Sequence, residues 1–210
     1  MQTRRSTSPP MSVPIVLFAM GAMALSWVLT PEFGPWFANG VTAIPTLFVA
    51  LIWGTAARNL RLSARGLAAS IAVGLALAVL SSLAGHVIVR AFPILTTELR
   101  QLYATLNRSP GPMRALPILL LTATTEEVIW RGELVTWLQK RFGLLFTTTI
   151  ATLAYSLPIA MSRSVLLFAI ANGLGVVFTL LRFATGSWVA PLVAHTIWAL
   201  GVFVVFPIAI

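Results

Sequence analysis

Long apolar runs alternate with short polar breaks along all but the first few residues, and that pattern predicts a chain of membrane-crossing helices. Apolar stretches run over about Ser12–Thr30, Val41–Ala57, Leu67–Val89, Ala115–Leu138, Gly143–Ala160, Ser164–Leu181 and Trp188–Ile210. Each is near or above the length an α-helix needs to span a bilayer. The runs are continuous rather than alternating, which argues against a β-barrel. The breaks hold turn-forming and charged residues. Pro31-Glu32-Phe33-Gly34-Pro35-Trp36 reads as an interfacial turn, and Arg58, Arg61 and Arg65 form the densest basic loop. One segment differs in kind. Leu95, Leu99, Leu102, Tyr103 and Leu106 share one side of a helical wheel, with Glu98, Arg100, Gln101 and Thr105 elsewhere. That is an amphipathic helix lying in the interface. The expected fold is therefore all-α: a polytopic transmembrane bundle of about seven spans plus one interfacial helix. Residues 1–11 read as a polar tail, and 12–210 as a single transmembrane domain. The first run is too long for the core of a cleaved signal and lacks a small-x-small site after it, so it reads as an uncleaved helix.

Composition agrees with this picture. Of 210 residues, 58% are hydrophobic and 9% charged, against about 25% charged in soluble domains. The net charge of +9 arises from thirteen arginines and one lysine, mostly at segment ends, where they anchor a membrane protein and meet anionic lipid heads. Nothing gathers them into a nucleic-acid surface. Counted by alternate sides with the N-terminus inside, Arg4, Arg5, Arg58, Arg61, Arg65, Lys140, Arg141 and Arg182 lie inward. Arg90, Arg100, Arg108, Arg114 and Arg163 lie outward. The excess favours a cytoplasmic N-terminus, and the inner membrane of a bacterial cell is the expected location. The chain has no cysteine, which excludes disulfides and thiol chemistry. Its two histidines, His86 and His195, stand in different helices and no HExxH is present, so no metal site and no cofactor are implied.

The acidic residues are few and concentrated. All five are glutamates, and Glu126, Glu127 and Glu133 sit within one apolar segment. A charge at the bilayer centre costs about 2.5–3.5 kcal/mol on insertion scales, so three carboxyls and Arg131 in one helix need a role. On an ideal helix Glu126, Trp130, Glu133 and Trp137 share a face, while Glu127 and Arg131 occupy another in the favourable i, i+4 order. The simplest assignment makes Glu127–Arg131 a structural pair. Glu126 is then left without a charged partner, which suits a general base or a proton carrier in a dry site. Glu133 and the tryptophans read as anchors at the helix edge.

Glu126-Glu127-x-x-x-Arg131 resembles the EExxxR motif of the CPBP (CAAX protease and bacteriocin-processing, or ABI) intramembrane endopeptidases. The likeness covers about residues 90–205, including the amphipathic linker, Gly173-Leu174-Gly175, and Ala184-Thr185-Gly186-Ser187-Trp188-Val189-Ala190-Pro191. The resemblance implies that Glu126 activates a water for peptide hydrolysis, that Glu127 pairs with Arg131, and that His195 is the histidine of the last motif. It also implies a membrane-anchored or lipidated protein substrate, alongside membrane lipids as partners. Two positions depart from the family pattern. The FxxxH segment, whose histidine the resemblance implies would help hold the water, aligns on Tyr155-Ser156-Leu157-Pro158-Ile159, with isoleucine in place of histidine. Ala199 stands where Asn or Asp follows His195 by four in the motif that would supply oxyanion stabilisation. Tyr155, Ser156 and Asn172, and further off Thr196 or His86, are candidates to substitute. Three functions are open at this point: an endopeptidase, a catalytically impaired relative acting as an accessory, binding or immunity protein, and a small proton-coupled transporter. The absence of inverted-repeat symmetry weighs against the third.

Overall fold

A computed structural model describes residues 12–55 and 60–207; the polar tail, with Arg4 and Arg5, and the basic-loop residue Arg58 lie outside them. Helices α1 (Ser12–Phe33) and α2 (Pro35–Trp53) form a tight antiparallel hairpin. The expected six-residue turn shrinks to one residue, Gly34, at φ 80°. Only a residue without a Cβ takes that conformation cheaply. Pro35 can open α2 immediately because a first-turn proline lacks an N–H that would be unpaired anyway. Helix α2 therefore starts six residues before its expected beginning at Val41.

Helix α3 (Ala64–Ala91) is capped by the Ser63 hydroxyl, which accepts the Gly66 N–H at 3.1 Å. It lies at the rim of the bundle, with most of its apolar side chains exposed. In a soluble protein this would be a liability; in lipid, apolar side chains need no cover, and the helix satisfies its backbone internally. Helix α4 (Pro93–Leu106) is the amphipathic segment, too short to span. Its expected apolar side turns inward, with Leu99 and Tyr103 buried and Arg100 and Gln101 exposed.

The motif helix follows as α5 (Leu116–Glu127), a π-helical turn (Val128–Leu134) and α6 (Val135–Leu138). After it come α7 (Leu144–Ser156), which tightens to a 3₁₀ turn over Leu157–Ser162, then α8 (Val165–Thr185) and α9 (Val189–Leu200), which relaxes into a π turn at Gly201–Val205. Ser164 caps α8 by accepting the Leu167 N–H at 3.1 Å, and Gly186 ends it at φ 70°. Among the described residues, five helices are long and apolar enough to cross a membrane; the motif helix and Val189–Val205 complete the seven expected segments. This is an all-α integral membrane protein.

Close crossings rest on small residues, as interhelical packing in lipid requires. A β-carbon at Gly74 of α3 would lie 2.8 Å from the Ala194 carbonyl oxygen of α9, and one at Gly175 of α8 2.9 Å from Thr152 of α7. The core surrounds the motif helix. Val128, Ile129, Trp130, Leu134 and Val135 pack against Ile15, Val16 and Ala19 of α1, Ala50 of α2, Tyr155 of α7 and Ile159 of the 3₁₀ turn after it. The helix richest in charge is thus the most enclosed.

Candidate active site

The π turn decides how the motif residues point. It widens one turn, so the Val135 N–H bonds the Trp130 carbonyl, five residues back. The ideal-helix expectation of one face for Glu126, Trp130, Glu133 and Trp137 assumes 100° per residue throughout, and the wider turn undoes it. Glu126 and Trp130 do line one cavity together. Glu133 turns elsewhere. It is fully buried, accepts from the Ser12 hydroxyl of α1 at 3.1 Å, and accepts from both the backbone N–H and the hydroxyl of Thr55 beyond α2. It is an interior tie between helix ends rather than an edge anchor. Trp130 is also buried, edge-on to Tyr155 at 6.0 Å between ring centroids. Only Trp137 keeps an edge-like setting, half-buried under the Arg141 guanidinium at 4.9 Å.

Glu127 is the centre of a buried polar hub. Its Oε1 lies 3.1 Å from Arg131 Nη1 and 2.9 Å from His195 Nδ1. The i, i+4 pair expected on the motif helix is present, and α9 supplies a third member. Arg131 reaches on to the Gly175 carbonyl at 3.3 Å and lies 4.8 Å from the Tyr155 ring centroid and 5.4 Å from that of Phe178. The His195 imidazole stacks on Phe178 at 5.0 Å. A charge pair removed from water holds together only when further groups satisfy its atoms; these contacts do so in part, and Glu127 Oε2 and Arg131 Nε are buried without a hydrogen-bond partner among the described residues.

Arg182 completes the hub. Counted from the sequence among the inward-facing surface arginines, it is in fact buried. Its Nε donates to the Arg131 carbonyl at 3.3 Å and its Nη2 to the Thr136 hydroxyl at 3.4 Å. The Arg131 carbonyl it reaches lies within the π turn, where the Val135 N–H goes to Trp130. The only sequence signal was an arginine one turn before Gly186, and that position looks equally like an end anchor.

Glu126 stands apart from the hub. It is half-buried, has no cationic partner within salt-bridge distance among the described residues, and accepts from the Tyr155 hydroxyl at 3.1 Å. It lies on the walls of two cavities. The larger, about 160 Å³, is bounded by Tyr155, Ile159, His195 and Ala199 among others. The smaller, about 120 Å³, lies between α1, α2 and α5 and is lined by Ser26, Thr42, Thr46, Thr122 and Thr125 among others. So the two positions that depart from the family pattern, Ile159 and Ala199, share a cavity with Glu126 and His195. Of the expected substitutes, Tyr155 alone reaches Glu126. Ser156 donates to the Asn172 side-chain oxygen at 3.4 Å, Asn172 donates to the Phe168 carbonyl at 2.8 Å, and neither lines the cavity. His86 lies exposed on α3 with Nδ1 against the Ser82 carbonyl. Among the described residues no group of three His, Asp or Glu converges as a metal would require. Asn39 of α2 lines both cavities; starting α2 at Val41 placed it in a loop and hid it.

Residues 109–201 match the family model described as type II CAAX prenyl endopeptidase Rce1-like. The family to which the EExxxR motif pointed is the family matched, and at that level the likeness is to membrane endopeptidases of the CAAX type. The match begins beyond α4 and takes in the motif helix, Tyr155–Ile159, α8 and His195. No curated protein and no solved structure matches the chain.

Proposed function

We propose that the protein is an intramembrane endopeptidase in which Glu126 activates a water against a peptide bond of a membrane-anchored, C-terminally prenylated or otherwise lipidated protein. The observation that carries this reading is the contrast between the two glutamates. Glu127 is enclosed by Arg131 and His195, whereas Glu126, with no salt-bridge partner among the described residues, borders the cavity that Tyr155 and His195 also line. Its carboxylate takes a proton from water while the water oxygen bonds to the scissile carbonyl carbon. As the tetrahedral intermediate collapses, the carbon–nitrogen bond breaks and Glu126 returns the proton to the leaving amine. Tyr155 holds the carboxylate through Oε2. His195, with Nδ1 committed to Glu127, has Nε2 left for the cavity side. Glu127 and Arg131 are framework.

The test is cleavage of a farnesylated CAAX peptide by purified protein in liposomes. Glu126→Gln abolishes turnover and leaves the thermal unfolding midpoint in detergent within a few degrees of the parent. Cleavage that persists in the variant refutes Glu126 as the base.

A second reading has its own observation. Ile159 and Ala199 give the cavity apolar wall where the family has polar side chains, which supports a relative that binds its partner in the groove without cutting it. In that case the parent and Glu126→Gln bind the peptide alike and neither cleaves it.

A further inference from the structure

Hydrolysis by Glu126 moves the carbonyl π electrons onto oxygen, and that oxygen needs a donor; loss of one such donor costs about 10²–10³-fold in rate. Resting on the function proposed above, the question is which side chain supplies it here. Ala199 cannot. The other donors on the cavity walls are largely committed. The Tyr155 hydroxyl is given to Glu126, the Thr122 hydroxyl bonds the Ile118 carbonyl at 2.9 Å, and His195 Nδ1 lies against the Glu127 carboxylate, so that Nε2 of the neutral ring is an acceptor and not a donor. Trp36 Nε1 donates to the Leu106 carbonyl and Trp198 Nε1 to the Ser81 hydroxyl, each at 2.9 Å.

The two cavities share five residues: Met23, Trp27, Asn39, Thr122 and Glu126. Asn39 is therefore at the junction, on the same cavity walls as the carboxylate. Its carbonyl accepts from Thr42 at 3.3 Å, but among the described residues its side-chain amide makes no hydrogen bond. An amide half-withdrawn from water without a partner costs stability, and a substrate oxygen would relieve that cost. Trp27 carries an N–H at the same junction, but it has one donor and no acceptor, and its ring packs against the α1 core. The amide offers two N–H groups and one acceptor.

We infer that Asn39, on a helix outside the family-matched stretch, is a catalytic residue that donates its amide N–H to the scissile carbonyl oxygen, in place of the side chain missing at position 199. The water oxygen adds to the carbonyl carbon, its proton passes to Glu126, and the resulting oxyanion is held from α2 rather than from α9.

The experiment compares the parent with Asn39→Ala and Asn39→Ala/Ala199→Asn, both in liposomes with the farnesylated CAAX peptide. Asn39→Ala lowers kcat by about 10²–10³-fold with KM nearly unchanged, and Ala199→Asn in the same chain restores at least part of that loss. A purely structural role would not be rescued from α9. A second arm needs no turnover: binding of a phosphinic peptide, which mimics the tetrahedral oxyanion, against its methyleneamino counterpart, which lacks the oxygen. Asn39→Ala erases the preference for the phosphinic form. Full kcat in Asn39→Ala or an unchanged phosphinic preference each overturns the assignment. Inactive Glu126→Gln beside active Asn39→Ala leaves the endopeptidase reading standing and removes this one. A parent that cleaves nothing removes the endopeptidase reading, and the phosphinic arm then decides Asn39 alone.

Discussion

Two neighbouring stretches of one helix wall have been treated in opposite ways. Around Glu127 the protein assembles Arg131, His195 and Arg182 with backbone and aromatic contacts in a space closed to solvent. One residue earlier, Glu126 has a single hydroxyl partner and opens onto cavities. The difference teaches that charge in a low-dielectric interior serves two incompatible ends. A framework charge must be paired, since an unpaired one destabilises the fold. A reacting charge must keep lone pairs for substrate and water.

The largest effect expected from breaking this contrast is on the paired side. Arg131→Met leaves Glu127 buried without its cation, and stability falls by about 3–5 kcal/mol, read as a lowered unfolding midpoint in detergent. Glu126→Gln should barely move that midpoint, and equal losses for the two would erase the distinction. Next comes the cavity wall. Ile159→His with Ala199→Asn adds polar groups facing Glu126, and cleavage of the farnesylated peptide should rise by about tenfold or more; a fall would mean that the apolar wall is itself needed by the substrate. Smaller again, Tyr155→Phe removes the one hydrogen bond to Glu126 and should cost turnover about tenfold, in line with a bond to a charged group, with little change in peptide affinity.

The smallest effect lies outside the spans. Glu98 of α4 accepts from the Ser164 hydroxyl at 2.7 Å and the Leu166 N–H at 2.9 Å. The Ser164 hydroxyl, then the Leu166 N–H, hold its carboxyl below the usual glutamate range, because both bonds favour the charged form. A depressed folded-state value means that this tie contributes its full stability above the unfolded value, near 4.3, and loses it as pH falls through the lower folded value. Thermal scans of the parent should thus lose more stability from pH 6 to pH 3 than scans of Glu98→Gln. Parallel curves would show that the carboxylate adds nothing to the docking of α4 on α8.

Much of this was legible in the chain because lipid imposes simple rules. Seven apolar segments and one amphipathic helix follow from run length and periodicity, and the buried side of α4 follows from Leu95, Leu99, Leu102, Tyr103 and Leu106 alone. The Glu127–Arg131 pair was readable because i, i+4 contacts are local to one helix. Glu133 was misread for the same reason in reverse. Its partners Ser12 and Thr55 are far away in sequence, and at the end of an apolar run a buried tie and a surface anchor look alike.

What the sequence by itself determined is the fold class, the motif helix and the residue types available for chemistry, since these depend on hydrophobicity and on spacing along one helix. Only the tertiary structure decided which glutamate is enclosed and which is open. It did so through a π turn that reorients the helix face, an arginine drawn in from α8 and a histidine from α9. It also brought Ile159, Ala199 and Asn39 to the walls around Glu126. Those contacts join residues tens of positions apart, and no local periodicity encodes them.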